Sequence, residues 1–455
     1  MRNKTSVIGF YSYAHPKEKM ESIIFNACEK LKNHIPDDFE VNFIGCADDH
    51  DKGELLKIKE ILSTTINGSS SLLIIYAGWC ESPKLLKVIE EFLYLPLIVW
   101  SIAGHYIEKG LISPAAAAGA SLLKYSLDLM NIKNFFVFDN LDEKPKTEKV
   151  IKYIKIAASY KNIKETSVAS FGYACSNLFP FMYDGNIIKK ITGIQVDNIE
   201  LLALKNIADS IDSDEIKYYE NDIRKYICKT DINNQEMELF ARYSAALDRI
   251  VKDGSYKAVT LKCGSGPGEL LGFTPCMVLS YIGNKVDTIC ECDVYNLVLQ
   301  VIISEITSQK SFFLEIFEFY SDGFLMASCG FAPFKACRDD CIETREHDWG
   351  GAKGIMNISK LKTGEITLMN LSANDGKLNL QLLKGNSETP EVFQEEGWTS
   401  SCGPMIPGLK IKTDFDVEKF KENIKGPHYI VYYGDLQQEM TAYCKLTGID
   451  LTILK

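Results

Sequence analysis

From Val7 to about residue 325, short runs rich in Val, Ile and Phe alternate with longer amphipathic segments. A brief apolar run suits a strand buried on both faces, and an amphipathic stretch of ten or more residues suits a helix packed against it. Their alternation predicts βαβ units and parallel sheets. Residues 7–10, 41–43, 72–76, 97–100 and 134–138 read as five strands of one open sheet, with helices over 20–32 and 82–91 among the connections. A lysine-rich stretch, 139–149, precedes a helix over 150–160. A strand near 168–172 then starts a second set, with helices at 200–211 and 235–252, an acidic polar stretch at 212–222, and strands at 258–262 and near Thr288 and Phe312. Beyond 325 the pattern changes to short strands and turns, including 355–361, 366–371 and 378–383, with turns at 362–365 and 374–377. The predicted fold class is α/β: two Rossmann-like parallel-sheet domains, 1–160 and 161–325, followed by a mostly β C-terminal domain, 326–455.

Composition narrows the partners. The 61 Asp and Glu outnumber the 50 Lys and Arg, giving a formal net charge of -11, and a field of that sign repels phosphate backbones and anionic lipid. Nucleic acid and membrane are therefore not expected partners. The apolar runs 92–100 and 115–123 fall short of the ~20 residues that cross a bilayer. The basic start at Arg2 and Lys4 leads into an apolar stretch too brief for a signal peptide. The 14 cysteines are scattered without paired zinc spacing or an export signal, so they are read as reduced thiols in a cytoplasmic protein, Cys337 and Cys341 included.

The segment 285–315 reads strand, helix, strand. A strand ends at Glu291, Asp293 caps the helix 294–307, and a second strand, 312–314, ends at Glu315. One crossover returns the chain parallel to itself, so these glutamates, 24 residues apart, are expected at the same carboxyl edge, where open α/β sheets bind ligands. Two carboxylates held together in a partly buried crevice require a shared proton or a cation. The plainer alternative leaves one glutamate exposed and pairs the other with a lysine. His428 opens an apolar strand and could ligate through one ring nitrogen while the other is held. His347 reads as a loop residue among charges, and for both histidines an ordinary structural role is the alternative. The loop Gly264-Ser265-Gly266-Pro267-Gly268 lacks the lysine and hydroxyl of a P-loop and reads as a flexible βα loop over a ligand.

These residues carry a resemblance. Cys290-Glu291-Cys292-Asp293, Phe313-Leu314-Glu315 and the stretch Pro427-His428-Tyr429 to Gly434-Asp435 resemble the metal-site segments of the L-fucose and L-arabinose isomerase superfamily. Tyr76-Ala77-Gly78-Trp79-Cys80-Glu81-Ser82-Pro83 and 95–100 resemble its N-terminal domain, and 361–368 its C-terminal β-domain, so the likeness runs in order along nearly the whole chain. It implies that Glu291, Glu315 and His428 hold one divalent cation, usually Mn2+, with Mg2+, Co2+ or Fe2+ also suited to such donors. It further implies that Glu291 and Glu315 are the catalytic acid and base of aldose–ketose isomerisation through an enediol. Trp79 would pack on the sugar from a neighbouring subunit in a trimer or hexamer, against the alternative of a core tryptophan. The chain departs from the arabinose type in having no histidine between Glu315 and His347, where Ser328-Cys329-Gly330 stands, and from the fucose type in having Glu315 for an aspartate, so neither sugar follows. His347 is a candidate to replace the missing ligand. A non-catalytic sugar-binding protein on the same scaffold is the competing expectation, and a hydrolase or lyase using the same cation is a third.

Overall fold

A computed structural model describes residues 3–175, 178–263, 266–338, 341–349, 352–391 and 407–454. The chain forms two compact units, Met1–Lys161 and Asn162–Lys455. In the first, β1 (Asn3–Tyr11), β2 (Phe39–Asp48), β3 (Ser69–Tyr76), β4 (Leu97–Ser101) and β5 (Asn134–Phe138) form a parallel sheet in the order β2-β1-β3-β4-β5. Every residue of β3 and β4 is buried, as expected of central strands with helices on both faces. The helices Lys17–His34 and Ser82–Ile89 bury Ile24 and Leu31 and Leu85 and Ile89 respectively. Trp79 follows β3 at the carboxyl edge of this sheet. Its N–H donates to the Pro114 carbonyl and its side chain is 43% exposed, so it is not a core residue of this unit. Gly78 beside it has no room for a side chain, since a Cβ there would lie 2.7 Å from the Ser12 nitrogen.

The second unit contains a parallel sheet of β6 (Ser167–Phe171), β7 (Gln195–Ile199), β8 (Ala258–Leu261) and β9 (Asp287–Cys290), in the order β9-β8-β6-β7. The acidic stretch at 212–222 lies largely in a helix, Ser213–Arg224. Asp212 caps it by accepting from the amides of Asp214 and Glu215, and Ile216, Tyr219 and Ile223 are buried at helical spacing. The surrounding charges masked that narrow apolar stripe.

The rest of this unit is mostly antiparallel: β10 (Phe312–Tyr320), β11 (Gly323–Ala327), β12 (Gly364–Asn374), β13 (Lys377–Glu388), β14 (Gly408–Lys412) and β15 (His428–Tyr433), with β16 (Asp450–Ile453) parallel to β13. The ladder runs β12-β15-β10-β11-β14-β13, and β12 also pairs with β13. The sheet therefore closes on itself and leaves no free edge among those six strands. The tight turn between β12 and β13 has left-handed φ at Asp375 and Gly376, the hairpin geometry that Asn-Asp-Gly-Lys favours.

Several expectations are corrected. The chain after the 294–307 helix does not pair with β9 in one sheet. It enters β10, which pairs with β11 and β15, so Glu291 and Glu315 belong to different sheets. The strand also continues past Glu315 to Tyr320, because Ile316, Phe317, Phe319 and Tyr320 are all strand-forming residues. His347 lies in a strand, Ile342–Trp349, opposite Gly354, and not in a loop. Cys341 is joined to Cys228 in a disulfide with a Cα separation of 5.4 Å, whereas Cys337 is free. No helix among the described residues is long and apolar enough to cross a membrane.

Candidate active site

Glu291 is the first residue after β9, and both it and Cys292 have left-handed φ, 62° and 56°. Two consecutive non-glycine residues in that region cost roughly 1–3 kcal/mol each, a strain that surrounding structure must hold in place. The kink aims the Glu291 carboxylate at the barrel strand β15, where Oε2 lies 3.2 Å from His428 Nε2. The other oxygen, Oε1, accepts from the Cys263 thiol at 3.7 Å. Cys292 donates to the Phe171 carbonyl at 3.3 Å, which ties the kinked turn to β6.

Asp293 caps the helix Val294–Thr307, accepting from the Asn296 amide at 3.2 Å. Its other oxygen, Oδ2, accepts from Asn296 Nδ2 at 2.7 Å and is 2.9 Å from His428 Nδ1. This second role was not read from the sequence, where Asp293 stood only as a helix cap. The available signal was its position two residues after a candidate metal ligand.

His428 is fully buried at the start of β15. Phe181 stacks on its ring at 4.5 Å between centroids, and Phe313 packs at 4.7 Å on a tilted plane. Asn370 Nδ2 donates to its carbonyl at 2.8 Å. Burial works against protonating the ring, but the Asp293 and Glu291 carboxylates hold its pKa up at about 10.

Glu315 faces His428 directly in the β10–β15 ladder. The Ile316 amide donates to the Pro427 carbonyl at 3.0 Å, and that hydrogen-bonded pair makes the next pair, Glu315 with His428, a non-hydrogen-bonded one. In such pairs the side chains of opposite residues lie closest. Burial pushes the Glu315 carboxyl up to about 7, the His428 charge opposing the rise and the Glu291 charge adding to it.

The three predicted ligands thus belong to one neighbourhood, although among the described residues no three His, Cys, Asp or Glu side chains already stand as a cage. One observation fits the set to a cation. His428 Nε2 is buried and has no well-directed hydrogen bond, although Glu291 Oε2 is close, while Nδ1 is fixed by Asp293. A ring held through one nitrogen with the other left open toward a carboxylate is the arrangement of a metal-binding histidine. The nearby thiols do not compete as thiolates, since burial pushes Cys292 up to about 12. Ser328, standing where a second histidine occurs in the arabinose type, donates instead to the Phe331 carbonyl. A cleft of about 230 Å³ opens beside Asp293 and His428, lined also by Phe181, Asn296, Asn370 and Lys425. The side chain of His347 and residues 264 and 265 of the glycine-rich loop lie outside the described residues.

Comparison with known proteins bears on the chemistry. No family model matches the chain. A sulfoquinovose isomerase of Priestia megaterium is 20% identical over 400 residues, spanning 86% of this chain and 87% of that protein. A sulfoquinovose isomerase of Clostridium sp. (strain MSTE9) is 21% identical over 412 residues, spanning 88% and 90%. These relatives support an aldose–ketose isomerase enzyme. They accord with a sugar-isomerase family without singling out the fucose type. Among solved structures, the ABC domain in complex with L-Trp from Streptococcus pneumonia matches at 14% identity over 58% of this chain and 75% of that one, with a TM-score of 0.19, too low to bear on the fold.

Proposed function

We propose that the chain is a metal-dependent aldose–ketose isomerase whose cation, Mn2+ or another hard divalent ion such as Mg2+, Co2+ or Fe2+, is held by Glu291, Glu315 and His428. The observation that carries this reading is His428, whose Nδ1 is fixed by Asp293 while Nε2 faces Glu291 and the backbone register faces Glu315. Two carboxylates and an imidazole that gives up its Nε2 proton on binding form a donor set for such ions. When bound, the cation polarises the sugar carbonyl and stabilises negative charge on the neighbouring oxygens.

The protein's own groups supply the proton transfers. One of Glu291 and Glu315 takes the proton from C2 of the aldose and delivers it to C1, and the other moves a proton between the two oxygens, so that an enediol converts to the ketose. Asp293 fixes the tautomer of His428 that leaves Nε2 free to ligate. Phe181 and Phe313 hold the ring in its plane. Trp79, exposed on the first unit, is proposed to contact the sugar of a neighbouring subunit in a homo-oligomer, a trimer or hexamer.

The test is metal analysis combined with solvent exchange of the C2 proton across pentoses, 6-deoxyhexoses and sulfoquinovose. The expected result is about one cation per chain and C2 exchange with at least one sugar, with exchange lost in Glu291→Gln. Sugar binding with neither metal nor exchange would overturn the proposal.

A further inference from the structure

The cleft beside His428 is not the face that the carboxylates share. Asp293 and His428 line it, whereas Glu291 and Glu315 do not. Tyr295 and Asn370 form further walls, both buried, and Phe179, 75% exposed, stands at the opening. At about 230 Å³ the space is smaller than the roughly 300–1,000 Å³ of sites for drug-sized ligands, which suits a small molecule.

Most polar groups around the cleft are already engaged. Asp293 accepts from Asn296 and lies against His428 Nδ1, and Asn296 Oδ1 accepts from the Leu371 amide at 3.1 Å. Two groups are left over. Asn370 is 3% exposed. Its Nδ2 donates to the His428 carbonyl at 2.8 Å, while its Oδ1 is buried with no hydrogen bond. Turning the amide over would set Oδ1 against that carbonyl, so the orphan atom is held as an acceptor. The Tyr295 hydroxyl accepts from the Asp184 amide at 3.1 Å, and its own proton has no acceptor among the described residues. A buried polar atom without a partner costs stability, and a molecule in the cleft would supply one.

We infer that this cleft is a binding site, separate from the candidate metal face, for a small neutral polyol. The two leftover groups select the chemistry. Hydroxyls both donate, as Asn370 Oδ1 requires, and accept, as the Tyr295 proton requires, whereas an ammonium only donates and a carboxylate only accepts. The ring of Phe179 adds an aromatic face, negative by its quadrupole, that suits the C–H face of a hydroxylated carbon chain.

The test is calorimetry in the presence of chelator, which keeps the candidate metal ligands empty. The probes are xylitol and sorbitol, with 1,4-diaminobutane and succinate as charged comparators, against the wild type, Tyr295→Phe, Phe179→Ala and Glu291→Gln. An alditol is expected to bind without metal. Its affinity should fall about three- to tenfold in Tyr295→Phe, the size of one lost hydrogen bond, and at least threefold in Phe179→Ala, while Glu291→Gln changes it less than twofold. Phe179 is exposed, so its removal keeps the test intact even if Tyr295→Phe unfolds. Absence of alditol binding, tighter binding of either charged probe, or unchanged affinity in both cleft variants would overturn the inference. Loss of binding in Glu291→Gln would overturn it too, by moving the alditol to the carboxylate face. Isomerisation is not read in this assay, so the proposed function stands or falls separately.

Discussion

Asp293→Asn separates the orienting role of Asp293 from its capping role. Asparagine is as good a helix N-cap as aspartate, so the bond from the Asn296 amide survives. What changes is the oxygen shared by His428 Nδ1, 2.9 Å away, and Asn296 Nδ2, 2.7 Å away. An asparagine that turns its oxygen to Asn296 presents its NH2 to the ring, and Nδ1 must then accept. The proton moves to Nε2, the nitrogen that faces Glu291, and a protonated nitrogen cannot ligate. Loss of such a supporting group costs ten- to a hundredfold in metal affinity, about 1.4–2.7 kcal/mol. Manganese titration against a competing chelator measures it, with thermal unfolding of the metal-free variant as the control for folding. A variant that unfolds like the wild type and binds manganese with undiminished affinity would refute the orienting role, and with it the assignment of His428 Nε2 as a ligand.

Other outcomes follow from the same geometry. Glu315→Gln should reduce C2 exchange at least a hundredfold, the usual contribution of a positioned acid or base, while leaving the far-ultraviolet dichroism unchanged. In metal-free protein, stability should fall as pH rises. The raised Glu315 carboxyl contributes stability that is present below about pH 4.5 and lost through about 7, and the raised His428 contributes stability present below 6.5 and lost through about 10. Chemical unfolding in chelator across this range checks it, and His428→Gln should reduce the slope between pH 6.5 and about 8, below the range where the buried thiols contribute. Phe181→Ala removes a buried ring stacked on His428 and should cost about 3 kcal/mol in unfolding free energy. Cys228 and Cys341 should resist alkylation in denaturant until a reductant is added, whereas Cys292 should react at once.

The parallel sheets were legible because they rest on local signals. The fully apolar runs of β3 and β4 permit no surface role, and the Asn-Asp-Gly-Lys turn after β12 specifies its own hairpin. Glu291 and Asp293 were found where a strand meets a helix cap, a junction marked by residue type alone. The partner of β10 was not legible. A strand following a helix usually returns to the same sheet, and only the closed ladder, completed by residues more than a hundred positions later, draws β10 away. For the same reason the meeting of Glu291 and Glu315 was expected for the wrong cause: Glu315 faces His428 across an antiparallel pair, and Glu291 reaches them from another sheet. The 213–224 helix escaped notice because its charged surface outweighs three apolar positions. The Cys228–Cys341 link escaped because spacing carries no information about residues 113 apart.

The ladder between β10 and β15 has a bearing on how the protein is made. Glu291 and Glu315 leave the ribosome long before His428, and the imidazole finds its place only when the strand bearing it zips into the barrel between β10 and β12. A slip of one residue in that zipping would send the ring to the opposite face. On the proposed reading, metal capture would be deferred until the barrel has closed in the correct alignment, since the nascent chain would carry two carboxylates but not yet the imidazole.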